Sequence, residues 1–256
     1  MKLFRTVSEL LFPPQCLGCG QRFAPSLGEQ SAPWLCKSCH TEFERSCLLQ
    51  CPECFAAYLD CTCAPSVMKR AGCVSFIKLA PYGDDRELET VRRIILKNKH
   101  FPGRRGFAFC ADTLCESVKK AVAVCDENMP ISHTVMAHLP RTRRNLKKYG
   151  FDQAKGLAKA LSRRCGIKYV DLLKRVRDGV DQKTLTVTGR SANVKGAFAL
   201  RQPVKDLRVI LVDDVVTTGA GMAEAVRVLK RAGAKEVIAV AVAATRKINR
   251  RSTNFT

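Results

Sequence analysis

From Gly72 onward the chain alternates short apolar runs with amphipathic stretches. GCVSFIKLAPYGDD reads as a strand followed by a turn at Tyr82-Gly83-Asp84-Asp85, and RELETVRRIILKNK reads as a helix. In that helix Leu88, Val91 and Ile95 fall on one face, which leaves Arg92, Arg93, Lys97 and Lys99 mostly outside it. FPGRRG breaks the pattern, and GFAFCADTLCESVKKAVAVC predicts a second helix. HTVMAHLP then predicts a short strand, FDQAKGLAKALSRRC a helix with Leu157 and Leu161 four apart, and IKYVDLL another strand. A polar loop covers residues 174–195. RVILVDD is the strongest strand, MAEAVRVLKRAG a helix ending at Gly233, and EVIAVAVAAT a final buried strand. Apolar strands alternating with helices predict an α/β fold: a Rossmann-like parallel sheet with helices on both faces.

The first 70 residues show no sustained period, and ten of the 14 cysteines fall between Cys16 and Cys73. In a reducing compartment clustered thiols point to metal rather than to disulfides. Cys16-Leu-Gly-Cys19 and Cys36-Lys-Ser-Cys39 are two CxxC knuckles separated by 16 residues, a spacing that suits a tetrahedral zinc-thiolate site. Cys51-Pro-Glu-Cys54 with Cys61-Thr-Cys63 is a candidate second zinc site, and interleaved pairing of the knuckles stays open. Cys47 and Cys73 are spare thiols, and His40 reads as a bystander. No position is left open for water, so the zinc is structural, standing in for a core that irregular residues could not build. The expected division is a Cys-rich zinc-binding module over residues 1–70 and the α/β domain over residues 71–256.

Composition narrows the class. Hydrophobic residues at 46% and charged residues at 26% match a globular chain. No uninterrupted apolar run reaches about 18 residues, so no bilayer span is expected, and MKLFRTVSELLFPPQC is too charged for a secretory signal. A cytoplasmic location follows as the expectation. The net charge of +21 favours polyanionic partners, either nucleic acid or a phosphorylated ligand.

The candidate chemistry centres on RVILVDDVVTTGAGMAEAV. Asp213 and Asp214 stand at the carboxyl end of a predicted strand, where ligands bind in open α/β sheets. Thr217, Thr218, Gly219, Ala220 and Gly221 then open a helix, where converging N–H groups favour a phosphate. Two carboxylates suit vicinal sugar hydroxyls or a divalent cation rather than the phosphate itself. A phosphorylated ribose satisfies both halves.

VILVDDVVTTGAG resembles the phosphoribosyl pyrophosphate signature of type I phosphoribosyltransferases. The four-cysteine amino terminus, VRRIILKNKH, LPRTRRNLKKYGFDQAKGLA, DQKTLTVTGRSANVKGAF and that signature together resemble the ComF family of competence-associated and GntX-like proteins. The resemblance implies that Asp213 and Asp214 hold ribose hydroxyls and that residues 217–221 cradle the 5′-phosphate. It also implies that Arg141 and Arg144, beside Pro140, receive pyrophosphate, with magnesium accompanying the ligand. Arg143, Lys147 and Lys148 add positive charge nearby, and Gln182, Leu185, Arg190, Asn193 and Phe198 match a further family pattern. Two departures stand out: Tyr149-Gly150-Phe151-Asp152-Gln153 replaces the usual Arg-Gly-Phe-Asn-Gln, and Gly221 stands where a Ser or Thr is usual.

Two functions follow as expectations. The first is transfer of a phosphoribosyl group from phosphoribosyl pyrophosphate to an unassigned acceptor. The second is non-catalytic single-stranded DNA binding in transformation or recombination, with a competence helicase or recombination proteins as partners. For the latter, residues 141–183 carry a net +10, Arg92, Arg93, Lys97, Lys99, Arg104 and Arg105 add to the basic surface, and Phe101, Tyr149 and Phe151 are available to stack on bases.

Overall fold

The structure is a computed structural model that describes residues 14–23, 34–100, 103–125, 129–178 and 194–245. The amino-terminal part contributes α1 (Lys37–Leu48) and the short α2 (Ser66–Lys69). Then follow β1 (Cys73–Tyr82), α3 (Glu89–His100), α4 (Arg104–Val124), β2 (Thr134–His138), α5 (Arg143–Tyr149) and α6 (Gln153–Cys165). The remainder comprises β3 (Lys168–Tyr169), β4 (Leu173–Arg175), β5 (Phe198–Leu200), β6 (Arg208–Val216), α7 (Ala220–Arg231) and β7 (Glu236–Thr245).

Five strands form one parallel sheet in the order β1-β7-β6-β2-β3, and β4 pairs antiparallel with β5 apart from it. Strand alternation divides the core in two. Ile210, Val212, Ile238 and Val240 join the layer built with α4 and α6. Val209, Leu211, Val237 and Ala239 join the layer built with α7. At roughly 1.5–3 kcal/mol for each fully buried large aliphatic side chain, these two layers are the main apolar support of the sheet. The parallel sheet with helices on both faces is thus as the sequence pattern predicts.

Several elements differ from expectation. The amino-terminal residues are not all irregular: α1 is a three-turn helix whose Cys39, Phe43 and Cys47 share one buried face. Phe43 meets Phe109 of α4 edge-on at 4.9 Å between centroids, and Cys16, Leu35 and Cys39 enter the same apolar layer as α4. Reading the cysteines only as ligands hides the apolar i, i+4, i+8 stripe they form with Phe43. IKYVDLL divides into β3 and β4 because Val170, Asp171 and Leu172 carry the chain from the main sheet to the small one. The loop expected from residue 174 therefore begins later, after β4. Finally, β6 continues past the two aspartates to Val216, with Asp213 beside Ala241 and Val215 beside Ala243 of β7.

Candidate functional site

The acidic pair sits near the carboxyl end of β6, the strand between β7 and β2 in the sheet. Asp213 accepts from the Asp214 N–H at 2.8 Å, and Asp214 accepts from the Val215 N–H at 2.9 Å. Asp214 Oδ2 receives the Arg141 guanidinium at 2.6 Å, with Lys99 Nζ at 3.9 Å. Arg141 comes from the segment after β2, which Leu139 ties to β6 by donating to the Val212 carbonyl at 2.9 Å. Burial, and then the charge of Asp214, hold the Asp213 carboxyl well above the usual carboxylate range. Arg175 of β4, paired with Asp178 at 3.3 Å, also lies within the field of Asp213.

The turn that follows has Gly219 as the N-cap of α7 in the left-handed region, at φ 76°. A Cβ there would come within 3.0 Å of Met68 Sδ, so glycine is required by conformation and by space. Thr218 Oγ1 accepts from the Ala220 N–H at 3.4 Å, and Gly219 accepts the first helical bond from Ala223 at 2.8 Å. The N–H groups of Gly221 and Met222 have no acceptor within the helix, which is the arrangement that favours an anion. Gly221 lies inside the first turn of α7, where a Cβ would meet only Leu139 Cδ2 at 3.8 Å.

Among the resemblance-implied cations, Arg141 is nearly buried against Asp214, whereas Arg144 lies exposed in the first turn of α5. The departures have local explanations. Asp152 caps α6 through the Lys155 N–H at 3.1 Å, and its other oxygen accepts from the Arg141 N–H at 3.1 Å. Its negative charge is thereby turned onto a helix N-terminus and the backbone that carries Arg141. The Tyr149 ring lies under Arg141 at 5.5 Å and Lys148 at 5.2 Å. Gln182, Leu185, Arg190 and Asn193 lie outside the described residues, as do Lys183 and Phe101; Phe198 is buried in β5.

A phosphoribosyl transferase domain profile matches residues 148–254. The DNA utilization protein YhgH of Salmonella typhi is 34% identical over 110 residues, which cover 43% of this chain and 48% of that protein. The chain thus spans about half the length of that curated relative. Competence protein ComFC of Streptococcus pneumoniae is 26% identical over 233 residues, covering 87% of this chain and 96% of that protein. These matches support the ComF family with a phosphoribosyl transferase domain. Among solved structures, a purine phosphoribosyltransferase from Pyrococcus horikoshii overlays with a TM-score of 0.29 at 20% identity, over 53% of this chain and 72% of that one.

The chain also brings together both sets of thiols. The sulfurs of Cys16, Cys19, Cys36 and Cys39 lie within 4.8 Å of one another, and so do those of Cys51, Cys54, Cys61 and Cys63. The knuckles do not interleave. Tetrahedral zinc with bonds of about 2.3 Å spaces its sulfurs by about 3.8 Å. Cys19 and Cys36 stand 3.8 Å apart and Cys54 and Cys61 3.5 Å apart, so both donor sets fit a metal such as zinc. Without a cation, burial and the neighbouring sulfurs push the Cys39 and Cys63 thiols up to about 12. Gly18 is needed at the first knuckle because a Cβ would lie 2.7 Å from Cys39 Sγ. Cys47 and Cys73 stand outside both clusters, and His40 pairs with Glu44.

Several residues carry roles that periodicity does not reveal. Lys99, read as surface charge, reaches Asp214; Lys97 donates to the Cys16 carbonyl at 3.1 Å; Arg92 and Arg93 both pair with Glu89. His138, at the end of β2, is buried, accepts or donates at 2.9 Å with the Tyr169 hydroxyl, and has Nε2 3.8 Å from Asp152. Burial pushes its pKa below the ordinary 6.5. The sequence signal for His138 was its place two residues before Pro140, at the end of an apolar strand. Among the described residues no helix is long and apolar enough to cross a membrane.

Proposed function

We propose that the carboxyl end of the sheet binds phosphoribosyl pyrophosphate and that the chain uses it to transfer a phosphoribosyl group. The observation that carries the proposal is the juxtaposition of Asp213 and Asp214 with an open helix N-terminus on one side and Arg141 on the other. Asp213 and Asp214 would take the ribose hydroxyls. Thr217, Thr218 and the N–H groups through Gly221 would take the 5′-phosphate. Arg141, released from Asp214, and Arg144 would take pyrophosphate, with bidentate geometry available to each guanidinium.

Magnesium, when bound with the ligand, would neutralise the diphosphate. As the bond from the ribose C1 to pyrophosphate breaks, the sugar gains positive character, and pyrophosphate leaves with the electron pair before an acceptor nucleophile forms the new bond at C1. The protein's part is to hold the sugar in place and to balance the departing charge. The names of the relatives, DNA utilization and competence, support a setting in DNA use, and thiol sets spaced for metal suit a reducing, cytoplasmic one. In this scheme residues 1–70 act as a zinc-stapled module on the phosphoribosyltransferase domain of residues 71–256.

The test replaces both carboxylates at once. Asp213→Asn with Asp214→Asn abolishes binding of phosphoribosyl pyrophosphate if the site is as proposed, and single-stranded DNA binding measured in parallel is unchanged. Retained binding of phosphoribosyl pyrophosphate in the double variant would place its site elsewhere.

A further inference from the structure

The cysteine cluster of Cys51, Cys54, Cys61 and Cys63 has a neighbour that fixes its charge. Lys78 lies in the middle of β1 with 4% of its surface exposed, between Ile77 and Leu79. Its ammonium donates to Cys61 Sγ at 3.0 Å and to the carbonyls of Cys61 and Cys63 at 3.2 and 3.1 Å. The Phe76 and Tyr58 rings stand 5.1 and 5.7 Å away. Among the described residues no carboxylate forms an ion pair with it. A buried ammonium is costly unless an anion pairs with it. The thiol set is the group within reach that can supply the negative charge. Four neutral thiols supply none, whereas four thiolates around a divalent cation carry a net charge of about −2, one unit of which Lys78 offsets.

The same cluster leads directly to the turn before α7. From Cys63 the chain passes through Pro65 into α2, whose Met68 is fully buried and packs on α7. Met68 and Pro65 are the atoms that a Cβ at Gly219 would strike, at 3.0 and 3.4 Å. A cleft of about 60 Å³ lies between cluster and turn, bordered by Cys51, Cys63, Pro65, Lys78 and Thr217. The backbone that presents Thr217 and Gly219 therefore rests on the segment that the four sulfurs gather.

Taking metal to occupy the Cys51, Cys54, Cys61 and Cys63 set described above, we propose that Lys78 balances the charge of that centre and that metal bound there holds the Thr217–Gly219 turn in shape. The consequence for a phosphate at that turn rests on the function proposed above; the metal count and the order of the turn do not.

The experiment uses the full chain, purified without chelator, beside Cys54→Ser and Lys78→Met. Elemental analysis is expected to find about two zinc ions in the wild type and about one in Cys54→Ser. Lys78→Met is expected to give up its second zinc to a competing chelator at least about tenfold faster than the wild type, the size typical of a lost neighbour to a metal ligand. Backbone amide exchange over residues 217–221 is expected to quicken by about fivefold or more in Cys54→Ser while Val209 to Val212 in β6 stay protected, which separates loosening of the turn from unfolding. If Cys54→Ser unfolds, the same exchange reading on zinc-depleted Lys78→Met decides the coupling. One zinc in the wild type, or a turn that exchanges equally with one zinc and with two, would overturn the proposal. If phosphoribosyl pyrophosphate fails to bind the wild type while the zinc counts and exchange rates come out as expected, the ligand assignment fails and the metal centre stands.

Discussion

Arg141 donates to Asp214 across 2.6 Å, so a cation and an anion assigned to different parts of one ligand neutralise each other before it arrives. Both side chains are largely buried, with 11% and 16% of their surfaces exposed, and the Arg141 backbone is held in turn by Asp152. Binding would exchange this contact for two new ones, sugar hydroxyls on Asp214 and pyrophosphate on Arg141. Removing the guanidinium leaves Asp214 with Lys99 Nζ at 3.9 Å as the ion-pair partner among the described residues. Arg141→Ala is therefore expected to lower stability by about 1.5–3 kcal/mol, the range for a hydrogen bond to a charged group, measured by urea unfolding. Arg141→Lys should lose less, because an ammonium restores the charge without the fork.

Asp213 supplies a prediction with a definite sign. Its carboxyl is held above its ordinary 3.8 by burial and by Asp214, so the folded state prefers the protonated form. That stability is present at low pH and is lost as pH rises through the folded value. Asp213→Asn removes the charge and keeps an oxygen to accept the Asp214 N–H. The variant is expected to melt above the wild type near neutral pH, with the gap closing as pH falls; melting curves across pH measure it.

His138 has the opposite dependence. Its folded value lies below 6.5, chiefly from burial and against the pull of Asp152, so its contribution is present above about pH 6.5 and lost as pH falls below it. His138→Gln, which can still bond to the Tyr169 hydroxyl, is expected to flatten the melting temperature between about pH 7 and pH 5. A wild type with no loss of stability over that interval would show that His138 is not buried as described.

Gly219 and Gly221 separate shape from chemistry. Gly219→Ala forces a left-handed backbone on a residue with a Cβ, costing roughly 1–2 kcal/mol before any clash with Met68. Gly221→Ser meets only ordinary contact with Leu139, so its folding should be unaffected within about 0.5 kcal/mol. Its hydroxyl would restore the donor usual in the family, and affinity for phosphoribosyl pyrophosphate should rise by roughly one hydrogen bond, about 0.5–1.5 kcal/mol. Calorimetry on both variants distinguishes the effects.

The parallel sheet was legible because RVILVDD and EVIAVAVAAT are apolar on both faces, as a covered parallel strand must be. The thiol clusters were legible from spacing, although only the fold excludes interleaved pairing of the two sets. The helix α1 was hidden because its buried face is built from the cysteines that drew the metal reading. In the sequence Asp152 is only a departure from the family pattern; in three dimensions it caps α6 and fastens Arg141. Lys99 looked like one more surface lysine, since a helix pattern assigns a side to each residue but not the length of reach that brings Nζ to Asp214. Lys78 drew no separate reading inside its apolar strand, since its sulfur partner lies 17 residues away and no local period connects them.

The most direct measurement is a calorimetric titration of the wild-type chain with phosphoribosyl pyrophosphate in the presence of magnesium. A saturable heat with about one site per chain, lost in Asp213→Asn with Asp214→Asn, is the predicted result. A wild type that gives no binding heat at any temperature tried, and no protection of residues 213–221 in amide exchange, would contradict the proposed site.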